Sequence, residues 1–571
     1  MSKEYKKNTS ENENLSNLSK TDILADENRI RFHGEFFTPI PFAHKALEYI
    51  DEILGKNWCK SGEYRIWDMA AGIGNLENGL PKESHKYIYL STLFVDEIEY
   101  CKKLFPEATS FQYDYLNDDI NNVFGEKSNW KLPKKLRDDL SNPKLKWIIL
   151  INPPFATSQD ARKKGKSKQD VSNTEVRKIM HQHNLGEASR ELAMQFIFRM
   201  KKELNGKEAF LGLFYKIKHI NSNNDKKLRD HVFKFTHKKG FMFSSSNFSG
   251  TSKNSPFPVA FMLWDIKNEQ HLENQEIVVD ILNENVEKIG TKKISSLNRK
   301  LFLSKWIKRP AAVNKFPPLG SAINIKSGNK DRRDRIANNF LASFMCAGND
   351  FQSQNQTALA SAPFVSAGAM SVTPENFEKA MVVHAVRRIP RATWLNDRDQ
   401  FLQPKQELSQ EFINDCTIWN IFGNSNQTAA MKDVEYEGQI YQIKNHFFPF
   451  LISELKNWEI TDSDFSLALA SAEDRFVAKW CSEKEFSSEA KEVIETAKII
   501  YKFYFANLNK LRTNLFEIKT WDAGLWQIKK VLQDQNLSKD LFKNLKEKHN
   551  ILRQKILPQI YDYGFIPKIE T

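Results

Sequence analysis

Five cysteines in 571 residues, none of them in a C-x-x-C pair, leave no framework for a zinc ribbon, an iron–sulfur cluster or a disulfide scaffold. The histidines include His181-x-His183. No H-E-x-x-H and no carboxylate at ligand spacing accompanies that pair, so no metal centre is expected. No apolar run approaches the length of a membrane span, and the polar N-terminus lacks a signal-peptide core, so a cytoplasmic protein is expected. Internal repeats and a P-D…(D/E)-x-K nuclease pattern are also missing.

What is present is an ordinary folding composition. Hydrophobic residues make up 40% and aromatics 12%, and the length suggests two to four domains. Lysine and arginine outnumber aspartate and glutamate by 84 to 71, a surplus that favours a polyanionic partner such as nucleic acid. Residues 1–28 are polar and read as a disordered tail.

The stretch with most chemical content is Asn152-Pro153-Pro154-Phe155, which ends the isoleucine-rich run Leu145–Ile151. Such a run cut off by a proline pair reads as a buried parallel strand stopping at a sheet edge. Two prolines stiffen the backbone and remove two donors, leaving a fixed amide and carbonyl beside an aromatic face. That combination suits a planar ligand with an exocyclic amine: the oxygens accept from the NH2 and the ring stacks on Phe155.

Other strand ends share this character. Tyr64–Asp68 runs into Met69-Ala70-Ala71-Gly72-Ile73-Gly74, an acid followed by a small, glycine-containing turn and then an expected helix. The third glycine of a dinucleotide fingerprint is missing, and no Gly-Lys-Ser/Thr follows this turn, so a cofactor with a free amino group fits better than a pyrophosphate. Tyr87–Leu93 reads as a second strand ending at Ser91-Thr92, and Thr109–Tyr113 as a third ending at Asp114-Tyr115-Leu116. Upstream, Phe36-Phe37-Thr38-Pro39 precedes an amphipathic helix from Ile40 to Leu54, with Thr38 as its expected cap. Strands alternating with helices predict an α/β, doubly wound, mainly parallel sheet with ligands at the strand C-termini.

These residues together resemble the S-adenosylmethionine-dependent N6-adenine DNA methyltransferases, in the group whose cofactor motifs precede the target-recognition region. The resemblance covers about residues 31–265 and rests on Gly34–Pro39, Asp68–Gly74, Asp114–Leu116 and Asn152–Phe155. It implies a Rossmann-like methyltransferase sheet, S-adenosylmethionine as cofactor and base flipping in duplex DNA. Phe37, Thr38 and Pro39 would close over the methionine end of the cofactor. Asp68, Ala70, Gly72 and Gly74 would hold its amino acid portion, and Asp114 with Tyr115 its adenine. Asn152, Pro153, Pro154 and Phe155 would grip the target adenine. Met69 and Ile73 depart from the family's usual Pro and Ser or Thr. The second strand lacks the family's terminal acid for the ribose hydroxyls: Thr92 stands there instead, and the nearest acid is Asp96.

Candidate DNA contacts follow. Lys163, Lys164 and Lys166 lie in a basic loop after the catalytic tetrapeptide, and the resemblance implies that Phe257 flanks the flipped base. Arg387, Arg388, Arg391, Trp394, Asn396 and Arg398 cluster as residue types that read base edges or stack on them, though Arg398 could equally pair with Asp397 or Asp399. The expected domains are a catalytic domain at 29–290, a mixed, α-rich target-recognition domain at 291–430 and a helical clamp or support at 431–571. With about thirty residues ahead of the motifs, no N-terminal nuclease domain is expected, so a separate restriction endonuclease is a candidate partner. Two rival readings stand beside this one. The enzyme could methylate RNA or a protein glutamine, or the chain could be a catalytically silent DNA-binding subunit on the same fold.

Overall fold

The computed structural model describes residues 36–125, 129–156, 174–248, 256–296, 299–318, 334–363, 368–511, 518–537 and 539–567. The chain divides into two compact units. Among the described residues the first takes in 36–296 with Thr393–Arg398, and the second takes in 299–392 with 399–567.

The first unit is built on a nine-stranded sheet in the order β3-β2-β1-β4-β5-β7-β6-β8-β9. Its strands are β1 (Tyr64–Asp68), β2 (Ile88–Thr92), β3 (Thr109–Gln112), β4 (Lys146–Ile151), β5 (Ala209–Lys216), β6 (Phe235–Ser244), β7 (Pro258–Glu269), β8 (Ile277–Leu282) and β9 (Lys288–Ile294). β3, β2, β1, β4 and β5 are mutually parallel, and β7 enters antiparallel beside β5. The fold is the expected α/β doubly wound sheet, mainly parallel at its N-terminal half. β4 is buried along almost its whole length, as a strand covered on both faces requires. The order reverses between β1 and β4, the switch point where the strand ends splay and leave a crevice. Asp68 and Asn152 stand at the two lips of that crevice.

Helix α1 (Ile40–Leu54) has the expected bounds and packs its apolar face on the far half of the sheet, with Phe42 stacked on Phe243 at 4.0 Å. Its N-cap is Pro39, without a side-chain cap, so Thr38 is free for another role. Helix α2 (Val95–Leu104) follows β2, and α3 (Leu192–Glu203) precedes β5. The expected helix after the glycine turn is absent: residues 69–80 make a series of turns before a 3-10 helix at Lys82–Tyr87. The reason is local, because Gly72 and Gly74 hold φ of +52° and +75°, which no helix accommodates.

In the second unit a four-stranded sheet (β10, Ala342–Cys346; β11, Thr357–Ala360; β12, Ala369–Val372; β13, Asn426–Gln427) adjoins helices. These include α4 (Phe377–Arg388), α5 (Gln410–Ile421), α6 (Ser488–Ala506) and α7 (Lys539–Asp562). One apolar core runs from Leu303 to Ile566 and includes Phe344, Met381, Trp419 and Tyr501.

A β-carbon at Gly74 would lie 2.6 Å from Cε2 of Phe105, on a backbone already at positive φ. Gly74→Ala should therefore lower stability by roughly 1–3 kcal/mol. Urea unfolding followed by circular dichroism measures this, and an unchanged midpoint would contradict it.

Candidate active site

A cavity of about 350 Å³ opens at the switch point. Its wall includes Phe36, Phe37, Thr38, Asp68, Ala70, Gly72, Thr92, Asp114, Tyr115, Asn152 and Pro154. Five separate stretches of sequence thus meet in one place, and most of the expected cofactor residues are in its wall. Pro39, Gly74, Pro153 and Phe155 are not. Pro39 instead accepts the first backbone bonds of α1.

The cavity is anchored by Asn152. Its Nδ2 donates to the Phe36 carbonyl at 2.6 Å and to the Thr38 hydroxyl at 2.9 Å. Both amide hydrogens are thereby used, which fixes the side-chain orientation and leaves Oδ1 as acceptor only. Oδ1 is buried and has no partner among the described residues. Thr38, 2% exposed, is the tie between the N-terminal segment and β4, and its carbonyl also accepts from Asn75 at 2.9 Å. In the sequence it looks like a helix cap; the proline beside it took over that position.

Asp68 ends β1 fully buried. One oxygen accepts from the N–H of Ala70 at 2.8 Å, and the other has no partner among the described residues. Burial pushes its carboxyl up to about 8, against the pull of that N–H. Glu77, which the sequence reading missed, is 0% exposed, and neither of its oxygens reaches another group's hydrogen bond among the described residues. Burial and the neighbouring Asp68 raise its carboxyl well above the ordinary range. Gly72 lets the wall close: a β-carbon there would lie 2.9 Å from the Phe37 ring.

The missing acid of β2 is also found. Asp96 is exposed, but Glu97 on the first turn of α2 is 2% exposed, lines the cavity and accepts from the Thr92 hydroxyl. The signal was available, since an acid five residues past a strand end can return on the first turn of the next helix.

At the other end of the cavity, Asp114 accepts from the Leu116 N–H at 3.0 Å and from Asn117 at 2.8 Å. Tyr115 stacks on Phe196 of α3 at 5.1 Å, and Leu192 and Phe196 both face the cavity. Arg199 holds this loop from behind. It is buried, donates to the carbonyls of Tyr115 and Asp118 and to the Tyr113 hydroxyl, pairs with Glu203 at 3.0 Å, and lies 4.4 Å from the Tyr115 ring.

Phe155 is 5% exposed and belongs to an aromatic group with Phe36 at 5.6 Å, Tyr215 at 5.3 Å and Phe257 at 6.5 Å. The structure therefore places Phe257 beside the tetrapeptide. Lys163, Lys164 and Lys166 lie outside the described residues.

The 387–398 cluster is not one surface. Arg387 is 1% exposed, and its guanidinium donates to the carbonyls of Ala347, Gly348 and Ser353, so it braces the second unit's core and offers no edge to a base. Trp394 packs against the first unit's core, and Asn396 is buried and accepts from the Thr393 N–H at 2.8 Å. Arg398 pairs with Asp397 at 3.0 Å, and its carbonyl accepts from Asn221. All four side chains make contacts within the fold. Arg388 is half-buried, donating to Asn355, and Arg391 is exposed. His181 contacts Ser189, and His183 tilts against Phe198.

No known family description matches the chain, and no curated protein does. Solved structures with a similar fold include a cryo-electron-microscopy DrdV–DNA complex (14% identical, TM-score 0.36, covering 58% of this chain and 36% of that one). A modification subunit of a putative type I restriction enzyme from Vibrio vulnificus is 14% identical with a TM-score of 0.31, covering 50% and 55%. A putative class I S-adenosylmethionine-dependent methyltransferase from Listeria monocytogenes is 10% identical with a TM-score of 0.27, covering 47% and 74%. The match spans about a third of the first of these structures and about half of the second.

Because Asp68 and Glu77 hold protons more tightly in the folded chain than in the unfolded one, their contribution is largest at low pH. It is lost as pH rises from the ordinary carboxylate range through about 8. Glu77→Gln should raise the melting temperature of the ligand-free protein, with a gain that widens from pH 6 to pH 9 in differential scanning calorimetry. A gain independent of pH would mean the pair is not buried as described.

Proposed function

We propose that the chain is a site-specific DNA methyltransferase that transfers a methyl group from S-adenosylmethionine to N6 of adenine, within a modification system. The observation that carries this reading is the lock on Asn152: two donated bonds leave a buried acceptor at the lip of a nucleoside-sized cavity. An exocyclic amine is the group such an acceptor lacks.

The residues present fit the cofactor. The unpartnered oxygen of Asp68 matches a cationic amino group, and the Gly72 turn allows close backbone approach. Glu97, held by Thr92, matches the ribose hydroxyls and would supply the charge-assisted bonds that Thr92 alone cannot. Asp114 and the Tyr115 wall match the adenine.

When bound, S-adenosylmethionine supplies an electrophilic methyl group. The protein's share is to hold the target. A paired adenine cannot reach the crevice, so the base is extruded from the duplex. Asn152 Oδ1 and the Pro153 carbonyl accept its two N–H bonds, which shifts the nitrogen toward a tetrahedral form and exposes its lone pair. Phe155 and Phe257 hold the ring, at about 1–3 kcal/mol per stacked base. Bound there, the cofactor would supply the methyl group, and Asn152 Oδ1 would hold the amine hydrogen by accepting from it. Fixed orientation supplies the rest of the acceleration.

Methyl-labelled S-adenosylmethionine, offered with duplex DNA, RNA and protein extract in parallel, tests the reading. Label recovered as N6-methyladenine from DNA is expected. Label in RNA or protein would change the substrate, and no transfer with no cofactor binding would leave a DNA-binding scaffold. Asn152→Ala should abolish turnover with cofactor affinity nearly intact by calorimetry; loss of affinity in the folded variant would displace Asn152 from the target side. Glu97→Gln should weaken cofactor binding by about tenfold, within the roughly 1.5–3 kcal/mol of a hydrogen bond to a charged group. Since the amino group needs Asp68 ionised, affinity should rise between pH 6 and pH 8 in the native protein. A flat profile would argue that another group takes the amine.

A further inference from the structure

The short segment ahead of α1 has two faces. Thr38 precedes Pro39, whose ring keeps the residue before it out of the helical region, so Phe36–Thr38 stays outside the helix that begins at Ile40. On extended backbone, side chains alternate sides. Phe36 and Thr38 meet the target end of the crevice: the Phe36 ring lies 5.6 Å from that of Phe155, and the Thr38 hydroxyl accepts from Asn152 at 2.9 Å. Phe37 meets the opposite end, its ring so close to Gly72 that a β-carbon there would lie 2.9 Å away.

The Thr38 carbonyl adds a second link to the glycine turn, because Asn75 Nδ2 donates to it at 2.9 Å. Two amides from distant parts of the chain therefore hold one residue, Asn75 by its carbonyl and Asn152 by its hydroxyl. Thr38 is buried, so water does not compete for either bond. A hydrogen-bonded chain thus runs from the turn that would hold the cofactor's amino acid portion to the amide that would hold the target amine.

The turn is a segment that a ligand can order. Residues 69–80 form turns in place of a helix, tied by short-range bonds such as Gly74 to Ala71 and Leu80 to Glu77, both at 2.9 Å. Backbone outside helix and strand ladders sits at the low-stability end of a fold. Gly72, Asn75, Phe37, Thr38 and Asn152 all line the same cavity. A ligand seated against Gly72 restricts the turn and the Phe37 ring together, and both restrictions converge on Thr38.

We propose that Asn75 couples the two ends of the crevice: a cofactor seated on the glycine turn sets Thr38, and through it the Asn152 acceptor, so that cofactor and target adenine bind with positive cooperativity. The proposal rests on the methyltransferase reading given above and gives a task to a residue that reading leaves unused. Asn75 is a positioning residue. Coupling of this kind is reciprocal, so the target must order the glycine turn as much as the cofactor orders Asn152.

The test uses the full chain, S-adenosylhomocysteine as a non-reacting cofactor probe, and a duplex that the native protein is found to methylate. Fluorescence anisotropy gives the DNA dissociation constant with and without saturating probe. For the native protein the probe should tighten DNA binding by about tenfold. Asn75→Ala should bring that ratio below about twofold, whatever the variant does to either ligand alone. Thr38→Val cuts the other link and should do the same, and the double variant should go no further. If neither variant folds, hydrogen exchange on the native chain decides: DNA without cofactor should slow amide exchange in peptides covering residues 69–80. A native ratio near one, an Asn75→Ala ratio equal to the native one, or exchange in 69–80 that DNA leaves unchanged overturns the proposal. A chain that methylates adenine in DNA while Asn75→Ala keeps the coupling loses this inference alone; one that methylates no DNA loses the underlying reading with it.

Discussion

The site depends on a junction of two segments far apart in the chain. Asn152 at the end of β4 reaches across to Phe36 and Thr38, just ahead of α1. A second amide, Asn75, grips the same segment from the glycine turn. Those three bonds close one wall of the cavity and fix the orientation of the Asn152 amide. Neither wall is rigid alone, since one is a loop after a strand and the other a loop before a helix. Linked, each becomes the other's support.

The electrostatics of the cavity are lopsided, with Asp68, Glu77 and Glu97 all gathered at one end. Burial is costly for Asp68 and Glu77, which have carboxylate oxygens without a partner among the described residues. A neutral or anionic ligand would meet this end unfavourably, and a ligand with an amino group would relieve it. At the Asn152 end the wall is polar and uncharged, which suits a neutral amine. One crevice thus has a charged end and a polar, uncharged end.

Much of this was legible in the sequence because buried parallel strands leave a strong mark. The runs ending at Asp68, Thr92 and Asn152 fall within a residue or two of the observed strands, and α1 matches at both bounds. What the sequence hid were effects of tertiary contact. Thr38 looks like a cap, and only the fold shows that it serves Asn152. Asp96 looks nearer to the strand end than Glu97, yet the turn of α2 sends the first outward and the second inward. The arginine-rich stretch was opaque for a related reason. Arg387 and Arg398 have the composition of a reading surface, but composition does not tell whether a guanidinium is already engaged by carbonyls or a neighbouring aspartate. Glu77 could not be anticipated at all, because an acid in a glycine-rich turn ordinarily faces solvent.

The hexapeptide Thr393–Arg398 belongs to the first unit although the residues on either side of it belong to the second. Trp394 and Leu395 cover part of the first unit's core, and Lys292 and Asn221 hold the segment by its carbonyls. The first unit is therefore not a continuous piece of gene. A ribosome delivers its last component only after about a hundred residues of the other unit have emerged. Until then the first unit carries an uncovered apolar patch. Completion of the sheet domain is thus timed by synthesis of its neighbour, and a fragment cut at the linear boundary near residue 297 would be left in that unfinished state.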